Sequence, residues 1–195
     1  MHDRTRFLLK QLGLSLVEAR AVDAEPIHLV QDRPKGFGLI GGTGLGKTWA
    51  LARHLGLQVQ QRVETAPDPA RATLPHLFAR WRNWPGTAED LKRWVALGYT
   101  EDIADQVEQL ATCRQLYLDD LGQERIVGAE DYALGVLREV LDRRQREGLP
   151  VFWTSNLDAP GLLRVYGART ASRLLGAWPP VKMQGPDLRL TRRVS

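Results

Sequence analysis

Three short apolar runs divide the chain: GFGLIG at 36–41, RQLYLD at 114–119 and PVFWTS at 150–155. Each is too short for a helix and ends in glycine or polar residues, as a buried strand does. Helical spacing dominates between them. Gly46–Leu57 predicts a helix directly after the first strand. Residues 129–147 place Leu134, Leu137, Val140 and Leu141 on one stripe, with Glu139 one turn before Arg143. Gly148 and Pro150 end that helix. Residues 4–20 predict a helix with Phe7, Leu8, Leu12, Leu14 and Leu16 on one side. The alternation over Gln58–Glu64 predicts a second strand. TAPDPARA at 65–72 reads as a loop. Residues 73–82, 87–97 and 101–112 predict helices, the second capped at Thr87 with Glu89 and Asp90 in its first turn. Residues 21–35, with Pro26 and Pro34, form a connector with a short strand at Ile27–Val30. Asp158–Tyr166 and Ala168–Leu175 are short helices, and VKMQ and LRLTR are closing strands. Strands alternating with helices predict an α/β domain, a parallel sheet with helices on both faces.

Composition changes this picture little. A length of 195 residues suits one domain, and 43% apolar with 26% charged residues is ordinary for a globular chain. No apolar run approaches the roughly 18 residues that cross a bilayer. The start, MHDRTRFLLKQLGLSL, lacks a small-residue cleavage site. A single cysteine, Cys113, forms no internal disulfide, so a cytoplasmic location is the default. The net charge of +4 permits contact with nucleic acid without requiring it. Arg80 and Arg82, Lys92 and Arg93, 143–146 and 189–193 are basic clusters, each read most simply as a solvated face or tail.

The chemistry begins at the first strand. Gly41, Gly42, Thr43, Gly44, Leu45, Gly46, Lys47 and Thr48 spell G-x-x-x-x-G-K-T, with Trp49 next, between an apolar strand and a helix. Such a loop points backbone N–H groups at phosphates and adds the positive end of the helix. Lys47 reaches the β- and γ-phosphates and Thr48 holds Mg²⁺. LYLDD ends the second run with two carboxylates at the same sheet edge. Asp119 suits the metal and Asp120 the attacking water; alone, the pair reads as an ordinary strand-end turn. FWTSN brings Asn156 to that edge, either as a turn residue or as a contact to the γ-phosphate or the attacking water. Arg169 and Arg173 lie one turn apart in YGARTASRLLG. They are either surface charges or guanidinium groups offered to a neighbouring subunit's phosphates.

With GGTGLGKT, LYLDDLGQER, FWTSNL, GARTASRLLG and VKMQGPDLRL in this order, the chain resembles the AAA+ ATPases of the DnaC/IstB family. These are bacterial replicative-helicase loaders and transposition helper ATPases, related to the DnaA initiator. The resemblance covers about residues 35–192. It implies a three-layer P-loop NTPase fold without a separate C-terminal lid domain. Residues 1–35 would be an N-terminal helix and connector, and 36–195 the ATPase core with a helical insert at about 65–112. Lys47 and Thr48 match Walker A, and Asp119 and Asp120 match Walker B. Asn156 matches sensor I, Arg173 the trans-acting arginine finger with Arg169 its neighbour, and Arg189 a sensor II equivalent. ATP and Mg²⁺ follow as cofactors. Partners implied are a second copy across an ATP-bridged interface, single-stranded DNA, and a replicative helicase or transposase, with no membrane. Loaders of this family usually carry an N-terminal helicase-binding domain; here about 35 residues precede the core.

Three readings stay open at this stage. The first is an ATP-driven assembly factor acting on DNA and a protein partner. The second is a small-molecule kinase on the same loop. The third is a nucleotide-gated adaptor with little turnover, since Asp120 stands where many AAA+ relatives carry Glu. A GTPase lacks support, because no N-K-x-D motif occurs. Trp81, Trp84 and Trp94 among Arg80, Arg82, Lys92 and Arg93 suit base stacking on single-stranded DNA, or else core packing.

Overall fold

An apolar strand must place every backbone N–H and C=O, and a parallel sheet does so while leaving both faces for side chains and helices to cover. The computed structural model describes residues 3–14, 35–75, 77–126 and 131–188. Five strands, β1 (Phe37–Ile40), β2 (Ala79–Asn83), β3 (Gln115–Leu121), β4 (Val151–Ser155) and β5 (Pro180–Lys182), form one sheet in the order β2-β3-β4-β1-β5. Every pairing is parallel. Helices α1 (Asp3–Gln11) and α2 (Lys47–Glu64) cover one face. Helices α3 (Trp84–Leu97), α4 (Thr100–Thr112), α5 (Tyr132–Arg146) and α6 (Ala159–Ala177) cover the other.

Alternation along the strands divides the core into these two layers. Phe37, Leu39, Tyr117 and Phe152 face Leu51, Leu55 and Val59 of α2. Leu116, Leu118, Val151 and Trp153 face Leu91, Leu110, Leu137, Leu141 and Leu174. Gly38 allows the closest approach on that second face: a Cβ there would lie 2.2 Å from the Trp153 indole. The indole is fixed in turn by Nε1 donating to the Trp178 carbonyl at 3.0 Å. Ile40 pairs with Ser155, and Ser155 with Leu121. The register therefore brings the loop after β1, the end of β3 and the residue after β4 to one edge.

Several expectations need correction. Gln58–Glu64 is not a strand but the last turns of α2. Leu51, Leu55, Val59 and Val63 are all buried at a spacing of four, so the helical stripe runs on through the apparent alternation. Residues 73–82 are not a helix. Ala79–Asn83 form β2, which pairs with β3 from Ala79↔Gln115 to Asn83↔Asp119, with Ala79 and Trp81 inward and Arg80 and Arg82 less buried. The segment 65–112 is thus not purely helical, since it contributes an edge strand to the sheet. Helix α3 starts at Trp84, because the Asn83 side chain accepts from Gly86 N–H and Pro85 sits in the first turn; Thr87 is one turn inside. Phe7 is exposed, with the Arg4 guanidinium 5.0 Å from its ring centre.

The cluster at 143–146 is not wholly solvated either. Arg144 is fully buried and donates to the carbonyls of Leu110, Ala111, Cys113 and Pro150 at 2.7–3.2 Å. One guanidinium thereby satisfies the end of α4 and the entry to β4. The two short helices expected over 158–175 are both present; they meet at Gly167, whose φ of 74° and ψ of 164° are not helical, and α6 denotes the pair. Residues 15–20 of the first helix, the strand at Ile27–Val30, residues 129–130 and residues 189–192 of the closing strand lie outside the described residues.

A buried polar chain ties α2 to the sheet. His54 Nδ1 lies 2.9 Å from the Tyr117 hydroxyl, which donates to Gln115 Oε1 at 2.9 Å. The His54 ring packs on Phe37 and Phe152, and burial lowers its pKa from 6.5 to about 4. Below about pH 6.5 the unfolded chain takes up a proton at His54 that the folded chain refuses. Stability should therefore fall as pH drops from 6.5 to about 4, by about 3 kcal/mol in total from this group. Denaturant midpoints measured against pH should show that slope in the wild type and a flatter one in His54→Gln.

Candidate nucleotide-binding site

The loop from Gly41 to Gly46 turns the chain from β1 into α2. Gly44 and Gly46 have φ of 80° and 79°, a region that costs side-chain-bearing residues energy. Gly46 occupies the N-cap of α2, and no side chain caps that helix start. Its amides and positive dipole end are thus directed at the loop's concavity, as an anion requires. Lys47 is 6% exposed. Its Nζ donates to Gly41 O at 2.8 Å, Gly42 O at 2.7 Å and Asn156 Oδ1 at 2.7 Å. A desolvated ammonium held by neutral oxygens in such a cradle has the chemistry for a phosphate oxygen.

Next to it, Thr48 Oγ1 donates to Asp119 Oδ1 at 3.0 Å. The same Asp119 oxygen accepts from Thr154 Oγ1 at 2.6 Å, and Thr154 Oγ1 accepts from the Asp120 N–H at 2.9 Å. One hydroxyl on β4 therefore fixes both acids of β3. The β3–β4 register shifts between Leu118 and Leu121, and Asp120 sits within that bulge at φ 61°. A left-handed aspartate is tolerated at a cost of order 1 kcal/mol. The bulge separates the two carboxylates: Asp119 is 2% exposed, whereas Asp120 is half-buried. Thr48 and Asp119 offer the oxygen pair that suits Mg²⁺, whose other positions are filled by phosphate and water.

Expected residues meet unequally. Lys47, Thr48, Asp119, Asp120 and Asn156 converge at one edge. Trp49 packs against the α2 side of the core. Thr43 is exposed, and Leu45 packs against the core from the loop. Arg169 and Arg173 instead pair with Asp142 of α5, at 3.4 and 2.7 Å. Arg189 lies outside the described residues. The segment before it does reach the loop: Met183 N–H donates to Ile40 O at 2.8 Å and Leu188 N–H to Gly44 O at 2.9 Å. The Asp187 carboxylate lies so close to Gly44 that a Cβ there would come within 1.9 Å of it.

Sequence reasoning missed Thr154 and Glu124. Glu124 is buried, accepts from Gly122 N–H at 2.9 Å and from the Tyr166 hydroxyl, and so anchors α6 to the turn after Asp120. Burial first, then Glu124, pushes the Tyr166 phenol well above its usual range. Thr154 was legible as a polar residue in an apolar strand; nothing in the sequence marks the Tyr166 contact. Of the tryptophans, Trp81 and Trp84 are 2% and 1% exposed and pack in the core, and Trp94 packs against the second layer. Base stacking on Trp81 or Trp84 is therefore excluded by burial. Arg80 and Arg82 bond Gln109 and Gln106 of α4, and Lys92 pairs with Asp131 at 3.1 Å. Among the described residues, no helix is long and apolar enough to cross a membrane.

No protein-family model matches the chain, and no curated protein sequence does. Solved structures do. The chain is similar to the crystal structure of DnaI, with 22% identity over 97% of this chain and 94% of that one, at a TM-score of 0.55. It is similar to the DnaC helicase loader, with 16% identity over 87% of this chain and all of that one, TM-score 0.62. It is also similar to a replication initiator DnaA bound to AMPPCP and single-stranded DNA, with 13% identity over 97% of this chain and 54% of that one, TM-score 0.57. At these identities the likeness establishes the fold. The chain has the α/β P-loop fold of AAA+ domains, with its parallel sheet between two helical layers and no separate lid domain among the described residues.

Proposed function

We propose that this chain is an ATP-binding and ATP-hydrolysing AAA+ protein of the helicase-loader type in the DnaC/IstB family. It would act in the cytoplasm on single-stranded DNA and a replicative helicase during DNA replication. The observation that carries the reading is the junction of three strand ends: Lys47 Nζ on Asn156 Oδ1, with Thr48 and Thr154 both on Asp119 Oδ1. A phosphate loop alone serves kinases, switches and motors alike. A lysine shared with the residue after β4, beside a strand-end acid pair, suits γ-phosphate cleavage coupled to a change in β4. The DnaC loader and the DnaA bound to AMPPCP and single-stranded DNA, which share the fold, support the choice of nucleotide and process.

In this reading, loop amides and Lys47 bind the β- and γ-phosphates of ATP. Thr48 and Asp119 would hold Mg²⁺, which neutralises phosphate charge when bound. Asp120, half-buried at the bulge, orients a water for in-line attack. Asn156 exchanges its bond with Lys47 for one to the γ-phosphate. Arg173, with Arg169 beside it, faces the nucleotide of a neighbouring subunit and stabilises charge there. Trp81 and Trp84 take no part in DNA contact, so single-stranded DNA is assigned to the protein without a site on those rings. A transposase in place of the helicase is the alternative partner, and pull-downs with each protein separate them.

Lys47→Ala should abolish ATP binding and turnover. Thr154→Val, similar in shape, should lower turnover about 10- to 100-fold with little loss of ATP affinity, because it removes a bond to each acid without touching the phosphate loop. Steady-state hydrolysis and fluorescent-nucleotide titration check both. Arg173→Ala should keep ATP affinity and lose about a thousandfold in oligonucleotide-stimulated turnover. Wild-type turnover in Arg173→Ala at every protein concentration defeats the trans-acting role of Arg173; ADP formation by a stable monomer only with a small-molecule acceptor sinks the assembly reading in favour of a kinase.

A further inference from the structure

We propose that Asp142 positions the arginines that complete a neighbouring subunit's site. The inference rests on the reading of Arg173 as a trans-acting group. Asp142 lies on the last turns of α5 and faces α6. Its Oδ1 is 2.7 Å from Arg173 Nε, and its Oδ2 accepts from Arg169 Nη2 at 3.4 Å. One carboxylate therefore straddles two cations a helical turn apart, relieving the repulsion between them and keeping the group positive. The Arg173–Asp142 contact is an ion pair, close at Nε but without a hydrogen bond to Oδ1. The Arg173 side chain is 28% exposed, so part of the guanidinium remains open to solvent. A guanidinium already localised by a carboxylate needs less ordering when a phosphate arrives.

The backbone supports the same role. Gly167, at φ 74° and ψ 164°, breaks α6 just before the arginine-bearing half, so that half does not inherit its direction from the first. Tyr166 ties the first half to Glu124 beside the acid pair. Beyond the break the second half is tied to α5 by polar contacts. Arg138 Nε donates to Thr170 Oγ1 at 3.4 Å, and Asp142 holds both arginines. The Arg173–Asp142 pair is half-buried and lacks a hydrogen bond, so its contribution to stability is modest and its further consequence is direction. The Asp142 side chain pairs with Arg169 and Arg173 and with none of Lys47, Thr48, Asp119, Asp120 or Asn156, so in this proposal it acts through Arg173.

Subunit mixing tests this. Asp142→Ala leaves its own phosphate loop intact and misaims its arginines. Lys47→Ala has a dead site and correctly held arginines. Asp142→Ala alone should bind ATP as the wild type does, unfold at a similar temperature and lose about 10- to 100-fold in oligonucleotide-stimulated hydrolysis. Mixed with Lys47→Ala, itself inactive, it should regain turnover, because correctly held arginines then enter its sites. Asp142→Asn keeps an acceptor without the charge and should fall between; if the alanine variant does not fold, Asp142→Asn carries the mixing test. A mixture no more active than its components, or wild-type turnover in both Asp142 variants while Arg173→Ala is inactive, overturns the proposal and leaves the trans-arginine reading standing. Wild-type turnover in Arg173→Ala removes that underlying reading, and Asp142's role falls with it.

Discussion

Lys47 holds an ammonium almost out of water, bonded to Gly41 O, Gly42 O and Asn156 Oδ1. A desolvated cation is costly unless its donors are met, and these acceptors come from the loop after β1 and from Asn156, 109 positions beyond Lys47. Meeting them requires β1 and β4 to be neighbours in one register. That in turn requires Gly38 to admit the Trp153 indole, and α2 to lie flat on Phe37 and Phe152. The phosphate loop is thus part of a sheet edge rather than a flexible turn.

Thr154 plays a comparable part for β3. Its hydroxyl donates to Asp119 and accepts from the Asp120 N–H, so both acids take their positions from β4. The β3 bulge allows adjacent residues in a strand to face one edge at different depths. Lys47 and Thr154 together couple the loop, the acid pair and Asn156. β4 leads through Asn156 directly into α6 and its arginines.

The second helical layer follows a different rule. Its apolar packing is continuous, but its direction-setting contacts are polar: Arg144 on four carbonyls, Glu124 between Gly122 and Tyr166, and Asp142 between Arg169 and Arg173. Each joins segments far apart in the chain. Arg144 and Glu124 are buried and restrict how α4, α5 and α6 sit against the sheet edge. Asp142 is half-buried between α5 and α6, where its ion pairs bear on orientation.

Local pattern was enough to find β1, β3 and β4, the phosphate loop, the acid pair and Asn156, because apolar runs and glycine spacing act over a few residues. It misplaced Gln58–Glu64, where the α2 stripe of Leu51, Leu55, Val59 and Val63 outweighs a short alternation. It also missed β2, whose Ala79 and Trp81 become an inward face only beside β3. Trp81 and Trp84, which look like a stacking surface in sequence, prove to be core residues for the same reason. Burial is a property of the partner surface. Which polar side chains act together was likewise decided by the tertiary structure, since a hydrogen bond between Thr154 and Asp119, or an ion pair between Asp142 and Arg173, depends on strand register and helix docking that no local spacing encodes.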